Sequence, residues 1–185
     1  AEYKTIGDER PVGMCGSGLL DVVAQLRLAE VLNDKGRLGG PQVREADGDR
    51  EYVIAPETEA GNGRAITVTQ QDIRELQLAK GAIRCGIDTL LQDAGIAAGD
   101  LDEVTIAGAF GTYIDVQSAQ VIGLLPQVPP DRVSQVGNAA GTGARLALIS
   151  AAHRRQAQDL ARRVRYIELA RTPRFMRNFA AGMSF

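Results

Sequence analysis

The sequence predicts an α/β fold. Short β-rich segments alternate with helical patterns along the 185 residues, an order typical of α/β proteins. Hydrophobic residues make up 44% and charged residues 24%, which are values of an ordinary globular chain. The 21 glycines cluster, and two clusters follow β-rich segments. At this length we expect one domain or two small lobes.

Charge and composition exclude several function classes. The formal net charge is −2 and aromatic residues make up 4%, so neither a polyanion-binding surface nor a base-stacking platform is expected. No apolar run approaches the roughly 18 residues of a membrane span. The first residues do not resemble a signal peptide, and the two cysteines, Cys15 and Cys85, are too few for an iron–sulfur or structural zinc site. These features favour a cytoplasmic protein with reduced thiols.

The first third predicts one helix and two strands. Apolar spacing over residues 12–32 is helical, and Ser17 suits the N-cap. Residues 33–50 are rich in turn formers and predict a loop. Residues 52–54 and 66–68 predict short strands, with a turn at Gly61-Asn62-Gly63 between them.

The next helix has the clearest signals at both ends. Thr69 and Asp72 form a capping-box pattern, and Gly95 suits a left-handed C-cap. An apolar face is expected to be buried, comprising Ile73, Leu76, Ala79, Ile83, Ile87, Leu90 and Leu91. The opposite face is expected to be polar and carries Arg74, Glu75, Lys80, Arg84 and Asp88.

The second half alternates strands and helices. Ser150 and the pair Thr172-Pro173 are predicted to begin helices. The predicted strands are residues 101–107, 133–136 and 164–169, and the predicted helices cover 115–124, the stretch after Gly143 with Leu146 and Ile149, 150–164, and a last stretch through Phe179.

Three glycine-rich turns point to a nucleotide. Two follow strands, at residues 108–111 and 137–143, and the third, Gly16-Ser17-Gly18, opens a helix. Ligands of α/β sheets lie beyond the carboxyl ends of strands, and free N–H groups at helix N-termini bind phosphate. Glycines four residues apart also allow close helix packing, so both interpretations stay open. The chain has no P-loop, no strict dinucleotide fingerprint, and one histidine, which disfavours a hydrolase triad.

Five motifs in this order resemble one family. They are PVGMCGSGLLDVVAQL, ITVTQQDIRELQLAKGAIRCGIDTLL, VTIAGAFGTYIDVQSAQVIGLLP, VGNAAGTGARLALIS and YIELA, and they cover the chain from about Pro11 to its end. The chain is similar to the C-terminal domain of the reductive activators of corrinoid enzymes. That family belongs to the superfamily of acetate and sugar kinases, heat-shock-70 proteins and actin. The resemblance implies that residues 1–185 form part of the second lobe of an actin-like ATPase fold.

The resemblance also implies a nucleotide site. By position, Gly108, Ala109, Phe110 and Gly111 match the adenosine loop of the superfamily, and Gly137, Asn138 and Gly141 match its second connecting element. The helix with Glu75, Lys80 and Arg84 resembles the helix that touches adenine and ribose. Gly16 and Ser17, in the turn that opens the first helix, complete the expected set.

The family's activity needs more than this chain. The resemblance implies that ATP or ADP with Mg²⁺ binds here, and that the phosphate-binding hairpins and a [2Fe–2S] ferredoxin domain lie upstream. The implied partner is the corrinoid protein of a methyltransferase system, in which Co(II) is reduced to Co(I). We also expect a homodimer, because a detached lobe exposes apolar surface.

Two other functions stay open from the sequence. A docking and dimerisation scaffold with a vestigial nucleotide cleft is the main alternative, because arginine-rich stretches near the C-terminus suit an acidic partner. Those arginines are Arg154, Arg155, Arg162, Arg163, Arg171, Arg174 and Arg177. Half of a sugar or acyl kinase is disfavoured, because no carboxylate stands in a recognisable kinase context.

Overall fold

The computed structural model describes residues 2–108 and 110–185. In this part of the chain helices and strands alternate, which confirms the predicted α/β class. The strands are β1 (Val43–Ala46), β2 (Asp49–Ala55), β3 (Ile66–Thr69), β4 (Val104–Ile106) and β5 (Val133–Gln135). The helices are α1 (Gly16–Leu28), α2 (Gln70–Ala94), α3 (Val116–Val121), α4 (Ala139–Ile149), α5 (Ala151–Arg163) and α6 (Phe175–Met183).

Strands β1, β2 and β3 form an antiparallel sheet in that order. Strand β1 and the start of β2 occupy part of the region predicted as a loop, so that prediction is wrong there. Asp47 and Gly48 both have positive φ angles and join β1 to β2 as a two-residue hairpin. Strand β1 has four residues and none is buried, so it lacks the apolar alternation that reveals a strand.

Helix α2 has the predicted ends and an unexpected buried face. Thr69 and Asp72 form the capping box, and Gly95 takes the left-handed conformation with φ 69°. Ile73 is buried as predicted, but Ile83 and Leu90 are 52% and 58% exposed. The side that packs against α6 instead buries Lys80, Gly81, Cys85 and Thr89. Lys80 belongs to the face predicted to be polar, but it is buried in the contact with α6.

Helices α2 and α6 cross at two glycines, which explains the buried face. A Cβ on Gly81 would lie 2.8 Å from Met183 Cγ, and one on Gly182 would lie 3.1 Å from the Gly81 carbonyl oxygen. Small residues thus let the two backbones approach closely. Hydrophobic periodicity gives no weight to glycine, and so it pointed to the wrong face of α2.

The segment before α6 is irregular, and the predicted strand at residues 164–169 is wrong. A 3-10 turn covers Leu169–Arg171. Thr172 does not cap α6, because its hydroxyl donates to the Leu169 carbonyl, and the helix begins two residues after Pro173. The short apolar run around Ile167 resembled a strand, but no other strand pairs with it in the described residues.

The hydrophobic core lies where α1, α3, the antiparallel sheet and the start of α2 meet. Val23, Leu32, Val68, Ile73 and Ile122 are fully buried there. Helix α1 also packs on the 3-10 turn Phe110–Tyr113. This core therefore supports the loop that follows β4.

Strands β4 and β5 form a separate parallel pair, in the register Val104↔Val133 to Ile106↔Gln135. The predicted strands here are confirmed, and so is the N-cap Ser150 of α5. The prediction of a helix after Gly143 is wrong at its start, because α4 begins at Ala139 with Asn138 as its N-cap. No residue of α4 or α5 is buried. This end of the molecule positions the candidate site.

Candidate functional site

The structure brings two of the predicted glycine turns together. The Gly108 N–H donates to the Gly137 carbonyl at 2.6 Å, and the Val136 N–H donates to the Ile106 carbonyl at 3.0 Å. These bonds extend the β4–β5 pairing past the carboxyl ends of both strands. The two turns therefore lie side by side at the edge where α/β proteins bind ligands.

Glycine is required at position 108 for its backbone conformation. Gly108 has φ 109°, which L side chains rarely adopt, and no atom in the described part of the chain lies within 4 Å of where its Cβ would be. At Gly111 the reason differs, because a Cβ there would lie 2.5 Å from Ile106 Cγ2.

The second turn presents the N-terminus of α4. The Asn138 side chain accepts from the Gly141 N–H at 2.9 Å, and the Ala139 N–H donates to the Gly137 carbonyl. The Ala140 N–H has no hydrogen-bond partner within residues 2–108 and 110–185. All residues from Asn138 to Arg145 are exposed. A free N–H at the start of an 11-residue helix favours an anion there.

Two polar side chains that sequence reasoning missed hold the first turn. Gln135 Nε2 donates to the carbonyls of Gly111 and Ile114, at 2.5 and 2.8 Å. Thr112 Oγ1 donates to the Gly108 carbonyl at 3.3 Å. The sequence signal that could have revealed this role is the amide side chain of Gln135 at the end of the short strand β5. These bonds fix the loop from both sides.

Two predicted adenosine-loop residues cannot be placed fully. Ala109 lies outside the described residues. The backbone of Phe110 begins the 3-10 turn Phe110–Tyr113, but its side chain is also outside the described part. The contribution of both residues to a nucleotide site stays a prediction.

The three predicted α2 residues do not form one cluster. Glu75 is exposed and accepts from Gln71 Nε2 at 2.7 Å. Arg84 pairs with Asp88 at 2.9 Å. Lys80 is 1% exposed, donates to the carbonyls of Gly182 and Ser184, and lies 5.3 Å from the centre of the Phe185 ring. Its described contacts hold the C-terminal segment, and none reaches a glycine turn.

Burial changes the acidity of Lys80. Removal from water and then the nearby Arg84 guanidinium lower the pKa of Lys80 to about 8, although the two carbonyls and the Phe185 ring favour the ammonium form. A solvent-facing contact with adenine or ribose would need this amine to leave both carbonyls. Its nucleotide role stays a prediction that the contacts do not favour.

The third glycine turn has a different N-cap from the predicted one. Cys15, not Ser17, caps α1: its Sγ accepts from the Gly18 N–H at 3.4 Å. Hydrogen bonds with the Ser17 hydroxyl and the Gly18 amide lower the pKa of the exposed Cys15 thiol. No described hydrogen bond joins Gly16 or Ser17 to the turns at Gly108 and Gly137.

The described residues form no metal-binding cluster and no membrane-spanning helix. Across residues 2–108 and 110–185, no group of three or more His, Cys, Asp or Glu side chains is placed to hold a metal ion. No helix in the same part of the chain has the length and apolar character needed to cross a membrane.

Comparisons with known proteins identify a family and a fold. Residues 1–185 match the family described as the C-terminal domain of RACo, the ASKHA domain. A solved structure titled "Reductive activator for corrinoid,iron-sulfur protein" superposes with a TM-score of 0.89 at 36% sequence identity, covering 99% of this chain and 30% of that one. This similarity supports the predicted lobe of an actin-like fold.

Two curated relatives carry related names. The corrinoid activation enzyme RamQ of Eubacterium limosum is 37% identical over 194 residues, covering 99% of this chain and 33% of that protein. The [Co(II) methylated amine-specific corrinoid protein] reductase of Methanosarcina barkeri is 36% identical over 76 residues, covering 41% of this chain and 14% of that protein. The chain thus spans a third or less of the proteins it matches. It belongs to the family of RACo C-terminal ASKHA domains.

Proposed function

We propose that this chain is the nucleotide-binding part of a protein that reduces inactive Co(II) corrinoid to Co(I) with the help of ATP. The printed names of the relatives, a corrinoid activation enzyme and a corrinoid-protein reductase, support the reaction. The partner would be the corrinoid protein of a methyltransferase system. A [2Fe–2S] cluster elsewhere in the full protein would supply the electron.

The adjacent glycine turns are the observation that carries the nucleotide proposal. The Gly108–Gly137 hydrogen bond places two turns at one sheet edge, and α4 begins there with a free Ala140 N–H. Among the described atoms, none lies within 4 Å of the Cβ position of Gly108, which favours the approach of a ligand there. These residues fit a phosphate group of ATP or ADP, with Mg²⁺ held by the phosphates and by groups outside this chain.

The nucleotide would act through two conformations. Reduction of Co(II) corrinoid is unfavourable for ordinary electron donors, so a second favourable event has to be coupled to it. ATP bound at the two turns would bias the protein toward one conformation only if it binds that conformation more tightly. The corrinoid protein would also bind the two conformations with different affinities, so ATP binding would change its affinity for this protein.

One charge at the start of α4 tests the proposal. In the full-length protein, Ala140→Asp places a carboxylate beside the proposed phosphate, whereas Ala140→Asn adds a neutral side chain of similar size. Asp is favourable at a helix N-terminus, so the fold is retained. We expect the wild type to reduce the methylated-amine-specific corrinoid protein only with ATP. Ala140→Asp should raise the ATP concentration needed for half-maximal cobalt reduction at least about tenfold. Ala140→Asn should change that concentration by less than about twofold.

The readout is the visible spectrum of the corrinoid, recorded without oxygen. Equal cobalt reduction without ATP would refute the coupling. Equal ATP requirements for the two variants would refute the phosphate position while leaving the reaction intact. A full-length protein without an absorption band that dithionite bleaches would refute the [2Fe–2S] donor.

The same proposal includes a cytoplasmic homodimer. Helix α4 exposes Leu148 and Ile149 at 76% and 72%, which favours apolar contact with a further surface. This exposure also supports the alternative, a docking scaffold with a vestigial nucleotide cleft. In that case the Ala140 variants would have no effect on ATP.

A further inference from the structure

Charge is distributed unevenly along the chain. Residues 150–177 contain eight arginines and two carboxylates, a formal net charge of +6. The remaining residues contain thirteen basic and twenty-one acidic side chains, a formal net charge of −8. The overall value of −2 therefore conceals one strongly basic segment on an acidic protein.

Helix α5 displays much of this charge to solvent. None of its residues is buried, and α4 is the main element packed against it. Arg155 and Arg162 are seven residues apart and so lie on one face two turns apart, with Arg163 beside them. We call these three residues the basic surface.

The arginines of the basic surface are largely free of internal partners. Arg155 and Arg163 make no ion pair or side-chain hydrogen bond with any described residue, and Arg162 meets Asp159 only at 3.6 Å. By contrast, Arg154 donates to the carbonyls of Ala147 and Leu148 and so has a structural partner. Repulsion among unpaired like charges is relieved when an opposite charge approaches.

We propose that the basic surface of α5 is a docking site for an acidic surface of a partner protein. This goes beyond the proposed nucleotide and corrinoid chemistry and does not depend on it. The match is one of charge: a partner that presents carboxylates gains complementarity here and meets repulsion over most of the remaining chain. Such a surface therefore also sets the orientation of the partner.

Other anionic partners fit the surface less well. Helices that lie on lipid use bulky apolar side chains, including Trp and Phe, opposite their basic face. The opposite side of α5 offers Ala157, Leu160 and Ala161, with one large residue and no aromatic. The net charge of −8 on the remaining residues would repel the phosphate backbone of a nucleic acid.

Charge reversal in the full-length protein tests the docking site. Arg155→Glu/Arg163→Glu changes two arginines whose side chains make no ion pair or hydrogen bond with any described residue. The matched control, Arg37→Glu/Arg64→Glu, changes two exposed arginines elsewhere on the surface. The probe is a labelled helical peptide with an all-glutamate polar face, followed by fluorescence anisotropy near physiological ionic strength. We expect the α5 reversal to weaken binding about tenfold and the control to change it less than about twofold.

A neutral variant and three further probes complete the test. Arg155→Gln/Arg163→Gln should bind with intermediate affinity, which separates lost charge from lost structure. Equal weakening in the Arg37/Arg64 control would overturn the proposal, because total charge would then explain the binding. Tighter binding to phosphatidylserine vesicles or duplex DNA than to the peptide would overturn it in favour of lipid or nucleic acid. Self-association that the α5 reversal abolishes would overturn it in favour of a second copy.

Discussion

Two helix pairs in this chain use small residues with opposite results. Where α2 crosses α6, Gly81 and Gly182 bring two backbones into contact and bury Lys80 beneath the crossing. Helix α4 is richer in glycine and alanine than either α2 or α6, yet it contributes no buried residue and meets mainly α5. Small residues permit close packing, but a partner of matching shape has to be present before they produce it.

The comparison divides the molecule by what its helices contribute to stability. The region built from α1, α2, α3, α6 and the antiparallel sheet contains the core. The region from β5 through α5 contains the candidate phosphate position and the basic surface. The core-containing region therefore sets the stability of this chain. The region from β5 through α5 carries the surfaces proposed to bind a ligand or a partner.

The largest expected effect comes from deleting a core side chain. Ile73→Ala removes a fully buried side chain of α2 and should lower the free energy of unfolding by about 3 kcal/mol. The matched change Leu148→Ala, at a residue 76% exposed, should alter it by less than about 0.5 kcal/mol. Urea unfolding measures both values. A comparable loss at Leu148 would mean that α4 is covered in solution and would remove the contrast.

A smaller effect is expected at the helix crossing. Gly81→Ala should lower stability by about 1 kcal/mol, although alanine favours a helix, because its Cβ would lie 2.8 Å from Met183 Cγ. Gly86→Ala, in the same helix, finds its nearest neighbour at 3.6 Å and should raise stability by about 0.5 to 1 kcal/mol. The two melting temperatures should therefore move in opposite directions. A rise in both melting temperatures would show that helix propensity outweighs the steric contact at the crossing.

The smallest effect concerns Lys80 and pH. Burial lowers the pKa of Lys80 from 10.5 to about 8, so the folded protein releases this proton before the unfolded chain does. Below pH 8 the amine is charged in both the folded and the unfolded state. The folded protein then bears the full free-energy penalty of burying a charged amine. Between pH 8 and 10.5 the unfolded chain binds more protons, so the contribution of Lys80 to stability rises with pH.

The Lys80→Met variant isolates the pH-dependent contribution of Lys80 to stability. It keeps a long apolar side chain but cannot titrate, so the melting temperature of the wild type should rise relative to the variant from pH 8 to 10. Other groups titrate equally in both proteins and cancel in the difference. A difference that stays constant over this range would show that Lys80 keeps its ordinary pKa and is not held under α6.

Sequence patterns predicted the elements with strong local signals. The capping box at Thr69, the C-cap at Gly95 and the N-cap at Ser150 are confirmed because each depends on residues within one turn. The α/β class followed from the alternation of such elements. Local chemistry was sufficient in these places.

Features that depend on distant residues were harder to predict. The buried face of α2 is set by α6, about 100 positions further along the chain, and periodicity within α2 cannot include that partner. The four-residue strand β1 depends on pairing with β2 rather than on its own apolar pattern. For the site, the glycine turns were found from sequence, but Gln135 and Lys80 took roles that only three-dimensional packing decides.

The crossing of α2 and α6 has a consequence for the integrity of the chain. Lys80 bonds to a carbonyl 102 residues away, and the polypeptide between them passes through the fully exposed α5. A protease that cut α5 would sever the covalent connection without touching the buried contact. The C-terminal piece would then stay seated on α2 as a non-covalent fragment, and a nicked molecule would show two bands after denaturation but migrate as one particle before it.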